Sequence, residues 1–270
     1  MLGVVAFGSP SAIAQGAGDL IVAPTRVVLE GRTRTAQLTL LNKGSATATY
    51  RIAAVNMRME EDGTVREIDK PDPGQNFASD LFRYSPRQVT LKPGAAQAIR
   101  ILLRKPKDLK DGEYRSHMLF RGVPDQAGES VEQAGAGDGI AVKLIPIYGI
   151  SIPVIIRHGK TAADISLSDM GVLAKDDANP LPRLKFKINR TGNSSAFGDL
   201  VATYKSGGSD VIIGQIMRLA IYSPNKNRGV EMQLRIPDGV SLSGGKIHLT
   251  YSKTTDEGGK LMAQTDIAVP

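Results

Sequence analysis

The sequence predicts an all-β protein built as two sandwich domains, on three observations. Segments with apolar residues at every second position recur along the chain, the period of a half-buried strand. Turn-forming Gly, Pro, Asn and Asp separate them, and no stretch keeps the period of an amphipathic helix. A chain of 270 residues is long for one sandwich and natural for two, and 41% apolar content can fill two cores.

The first series of strands is expected near 20–29, 34–42, 46–58, 64–69, 87–91, 97–104, 113–121 and 140–157. Leu38 and Leu40 alternate with Gln37 and Thr39, and Ile99, Ile101 and Leu103 share one face. Asp62-Gly63, Lys92-Pro93-Gly94 and Asp111-Gly112 supply the turns. A second series is expected near 163–168, 183–190, 197–204, 210–221, 230–236, 246–252 and 260–268. There Leu184, Phe186 and Ile188 oppose Arg183, Lys185 and Lys187. Two sets of about seven short strands read as two immunoglobulin-like β-sandwich domains, 18–157 and 158–270, joined through Arg157-His158-Gly159-Lys160.

The strand from Ile140 to Ile156 is about three times the usual length. Ile140, Val142, Leu144, Tyr148, Ile150, Ile152, Val154 and Ile156 keep the period of two, and much of the strand is apolar on both faces. A small, acidic, glycine-rich stretch, 125–139, precedes it and is long for a hairpin connection. A polar loop running into an over-long apolar strand suggests a strand partly used by something outside the chain.

The net charge of +7 is spread along the sequence, and no Lys/Arg cluster stands beside exposed aromatics, which argues against nucleic acid. The absence of cysteine removes disulfides, thiolate nucleophiles and sulfur-ligated zinc. Leu2-Gly-Val-Val-Ala-Phe7 followed by Ala12-Ile13-Ala14 resembles the second half of a secretory signal peptide lacking its basic start. Residues 1–17 are therefore read as a truncated leader or disordered N-terminus of an exported protein, with the mature chain beginning at Gln15. No run approaches a membrane-spanning helix, so the mature protein is not expected to be membrane-embedded. His117, His158 and His248 lack metal-ligand spacing, and neither a cofactor nor an enzymatic activity is expected.

Ala23–Gly31 (APTRVVLEG), Ser85–Ile101 (SPRQVTLKPGAAQAIRI), Lys110–Pro124 (KDGEYRSHMLFRGVP) and the long strand together resemble the first domain of periplasmic pilus-assembly chaperones. The turn Asn189-Arg190-Thr191-Gly192-Asn193 is a looser match in the second domain. The resemblance implies two domains set in an L and residence in the periplasm. It also implies a stoichiometric chaperone that lends a strand to pilus or fimbrial subunits and delivers them to an outer-membrane usher. Whether the free protein caps itself as a dimer stays open.

The resemblance assigns Ile140, Val142, Leu144, Tyr148 and Ile150 to the lent strand and Arg26 to the subunit's C-terminal carboxylate, a task suited to a guanidinium. The family's second cation falls at Pro153, which cannot bind an anion. Arg115, Arg157 and Lys143 are the substitutes, Arg115 first, while Glu113, Arg115 and Arg157 could instead form an interdomain ion-pair network. Two other classes compete. A two-domain immunoglobulin-like adhesin or ligand-binding module would bury the long strand and bind at loop tips. A hydrolase would join Ser116 and His117 to a carboxylate.

Overall fold

The computed structural model describes residues 20–124, 148–207 and 209–269. The leader-like segment and the strand positions Ile140, Val142, Lys143 and Leu144 lie outside them.

The first domain comprises β1 (Leu20–Ala23), β2 (Val27–Leu29), β3 (Thr35–Asn42), β4 (Ala48–Val55), β5 (Met57–Met59), β6 (Val65–Glu67), β7 (Phe82–Ser85), β8 (Gln88–Leu91), β9 (Ala96–Leu103), β10 (Gly112–Val123) and β11 (Gly149–His158). One sheet runs β1-β3-β9-β7 and the facing sheet β2-β11-β10-β4-β8. Leu29, Leu38, Leu40, Ile99, Ile101, Val154 and Ile156 are fully or almost fully buried between them.

The expected strand 20–29 divides into two that belong to opposite sheets. Pro24 sits at the break, where a residue without an N–H costs no ladder bond. β2 then pairs parallel with β11, Val154 beside Val27 and Ile156 beside Leu29. Similarly, the expected strand 46–58 divides into β4 and β5, and β5 with β6 forms a separate hairpin. The short strand β7 has no counterpart in the sequence reading.

The second domain comprises β12 (Ala163–Leu173), β13 (Arg183–Gly192), β14 (Ala196–Ser206), β15 (Ser209–Ile221), β16 (Asn227–Gln233), β17 (Gly245–Ser252) and β18 (Leu261–Val269). Its sheets are β12-β13-β16 and β15-β14-β17-β18, closed over Leu184, Phe186, Ile188, Leu200, Ile247, Leu249 and Tyr251. The protein is thus all-β with two sandwich domains.

A third apolar cluster lies where the domains meet. Met59, Ile155 and Val28 of the first domain pack against Phe197, Ala220 and Tyr222 of the second. The β5–β6 hairpin reaches across as well. Asn225 Nδ2 donates to the Met59 carbonyl (2.7 Å), and the Gly229 amide to the Glu61 carbonyl (2.8 Å). Gly63, at φ +89°, lies directly under the Arg228 guanidinium, where a Cβ would come within 2.2 Å of a guanidinium nitrogen.

Candidate functional site

The pleat sends alternate residues of β10 and β11 to opposite faces. Met118, Phe120, Ile152, Val154 and Ile156 enter the first core, while Ile155 joins the interdomain cluster. Arg115 pairs with Ile155, and Ile155 with Val28, so one row crosses three strands on the face turned to the second domain. Arg26, two residues before Val28, shares that face. His117 pairs with Pro153 one step along. Both faces of β10 are covered from Gly112 to Phe120, and even Glu113, Arg115 and His117 are at most 4% exposed.

Three arginines stand at this junction in different states. Arg157 has a partner for every guanidinium nitrogen. Nε donates to Glu113 Oε2 (3.1 Å), Nη1 to Glu30 Oε2 (3.2 Å) and Nη2 to the Ser195 carbonyl (3.3 Å). Glu113 in turn accepts from the Ser195 amide (3.1 Å) and from the Ser195 hydroxyl. Burial alone would lower the Arg157 pKa, but the charges and hydrogen bonds of Glu113 and Glu30 outweigh it and raise it. Of the expected network, Glu113 and Arg157 form an ion pair within the first domain that reaches the second through hydrogen bonds with Ser195, and Arg115 makes no ion pair in it.

Arg115 is 3% exposed, and among the described residues its Nε and Nη1 have no hydrogen-bond partner. Its guanidinium carbon lies 4.3 Å from the centre of the Tyr222 ring, a cation–π contact. Desolvation lowers its pKa, with the Tyr222 and Glu113 charges acting the other way. Arg26 is intermediate. Its side chain is 6% exposed and stacks 4.2 Å from the Phe197 ring centre. Nη1 meets Glu257 Oε1 at 2.9 Å, and Nε is buried without a partner. Burial lowers its pKa, and Glu257 opposes that most strongly.

His117 presents its ring edge to Tyr222, centroids 6.2 Å apart at 84°, and its Nδ1 is buried without a partner. Desolvation first, and the Arg115 charge second, pull its pKa down to about 3. Ser116, its neighbour, points to the other side, accepting from the Ala78 amide (2.8 Å) and donating to Asn56 Oδ1. The pleat thus parts the serine and histidine that a hydrolase would need together. Among the described residues no group of His, Asp and Glu has the arrangement to hold a metal.

At the other end of β11, Tyr148 is 53% exposed. Ile150, placed in the lent strand on sequence, is half-buried against the first core and paired with Phe120. β2 covers the outer edge of β11 only along Val154–Ile156, and no other described strand pairs with that edge from Gly149 to Pro153. The sequence reading did not single out Phe197, Tyr222 or Glu257. The two aromatics sit in strand patterns like any core residue, and Glu257 is 231 positions from Arg26.

No family model matches the chain, and no curated protein matches it. Among solved structures it is similar to the YadV chaperone (13% identity, TM-score 0.45, 93% of this chain and 100% of that one). It is also similar to the E. coli chaperone DraB (14%, 0.44, 93% and 96%). A third match is a chain from the complex of Salmonella enterica SafA pilin with the SafB chaperone (14%, 0.43, 96% and 99%).

Proposed function

We propose that this protein is a periplasmic chaperone for pilus or fimbrial subunits. It lends the open edge of its long strand to an incomplete sandwich and grips that partner's C-terminal carboxylate at Arg26 and Arg115, before delivery to an outer-membrane usher. The observation that carries the reading is the buried Arg115, two of whose guanidinium nitrogens have no partner among the described residues, on the same face as an Arg26 that is only partly paired. A buried cation without a counter-charge costs several kcal/mol. An arriving carboxylate would supply both the charge and the acceptor oxygens, in a bidentate geometry suited to guanidinium. Arg157, with all its nitrogens engaged, holds the domains together behind the site.

The strand contribution follows from the edge. The outer edge of Gly149–Pro153, which no described strand pairs, can accept an added strand, and Tyr148 stands ready to be covered. Val142 and Leu144 continue the same period of two upstream.

A subunit co-expressed with the wild-type protein should co-purify with it. Arg26→Ala and Arg115→Ala should each lose it, since a hydrogen bond to a charged group contributes about 1.5–3 kcal/mol. A subunit whose C-terminus is extended by several residues should be lost in the same way. Undiminished co-purification with both variants would remove the carboxylate clamp.

A further inference from the structure

Glu257 occupies Arg26 in the free protein, and its setting differs from that of a structural ion pair. It ends a short 3-10 turn, Thr255–Glu257, that links β17 to β18 and runs into Gly258 and Gly259, both at positive φ (93° and 63°). Its side chain is 38% exposed and, among the described residues, hydrogen-bonds only to Arg26 Nη1. Glu113, by contrast, has a side chain 1% exposed and is bonded to both Arg157 and Ser195. The turn's other acid, Asp256, lies 3.9 Å from Arg218. Arg218 and Arg26 both stack on the Phe197 ring, at 5.6 and 4.2 Å. Two adjacent acids on an exposed turn thus face two arginines held on one aromatic platform.

We propose that Glu257 is an internal competitor for the carboxylate site. Its carboxylate sits on Arg26 until a partner's C-terminal carboxylate displaces it, and it returns when the partner leaves. The proposal rests on the clamp reading and deepens it by naming how the site is regulated. Displacement exchanges one carboxylate–guanidinium bond for another, and Glu257 regains full hydration on its exposed turn. A lone carboxylate therefore gains little at Arg26. A ligand that also brings Arg115 its missing acceptor, or a strand to the open edge, gains enough to win. The site would discriminate against small metabolite carboxylates and admit a carboxylate attached to a fitting chain.

Acetate is the probe, with the Arg26 Nε–Hε resonance as the reporter. Glu257→Gln should shift the half-response to acetate to about tenfold lower concentration than wild type, the range expected for a partly exposed charged hydrogen bond. Asp256→Asn, which alters local charge without freeing Arg26, should move it far less. An equal response in wild type and Glu257→Gln, or an equal gain from Asp256→Asn, overturns the competitor while the clamp stands. No response in any of the three proteins removes Arg26 as an anion site, and the clamp and the competitor fall together.

Discussion

Arg157 and Arg115 lie on neighbouring strands at the same interdomain junction, and both side chains are largely withdrawn from water. One has a partner for each guanidinium nitrogen, and the other has two bare nitrogens and an aromatic ring. A completed set of partners holds a structure in place. An incomplete one stores an unfavourable charge that only an added group can relieve. Burial alone does not tell these two arginines apart, and the partner count does.

The largest test breaks the completed set. Glu113→Ala leaves Arg157 with only exposed Glu30 and the Ser195 carbonyl and strips the Ser195 amide and hydroxyl of their acceptor, and should cost about 3–5 kcal/mol in urea denaturation. A shift below about 1 kcal/mol would mean the network adds nothing that water does not replace.

Next in size is an acid loss that reports on the incomplete side. His117 is neutral when folded, with its pKa near 3 against 6.5 when exposed. Its contribution is fully present above pH 6.5. Below that the unfolded chain binds the proton first, and stability falls by about 1.4 kcal/mol per pH unit down towards pH 3. Between pH 6.5 and 5 that is about 2 kcal/mol, and His117→Gln should flatten this slope in urea midpoints.

The smallest effect sharpens the contrast most. Arg115→Met keeps the side chain's bulk and removes the unpaired charge. Stability at neutral pH should stay within about 1 kcal/mol of wild type, or rise. Because Arg115 also depresses the His117 pKa, the same variant should raise that pKa and shrink the acid loss. A collapse of stability comparable to that of Glu113→Ala would show that Arg115 is as structural as Arg157.

Much of the fold could be read from alternation alone. Ile99, Ile101 and Leu103, and likewise Leu184, Phe186 and Ile188, occupy the core faces their spacing assigns. What alternation cannot carry is which sheet a strand joins. The division of residues 20–29 between two sheets depends on pairings with β3, the next strand, and with β11, far along the chain. The hairpin at Asp62-Gly63 was visible as a turn, but its docking on Arg228 and Gly229 was not. Within the site, Arg26 and Arg115 were legible only through the resemblance. Residues Phe197, Tyr222 and Glu257 came from elsewhere in the chain, brought there by folding and marked by no local pattern. The sequence left Arg157 open between anion ligand and network member, and its hydrogen bonds place it in the network.

The β5–β6 hairpin has a mechanical consequence. Two bodies joined by one short linker can swing. Here the linker is supplemented by the hairpin's grip on Asn225 and Gly229, and by Glu113 on Ser195. Opening the junction would break these attachments together, a rearrangement of the microsecond-to-millisecond class. A guest that only has to displace Glu257 from Arg26 waits for rotamer flips, which take picoseconds to nanoseconds in exposed residues, whereas one that must also reach Arg115, 3% exposed, waits for the slower opening. Capture by such a braced frame would then come in two steps, a fast exchange at Arg26 and a slower opening onto Arg115.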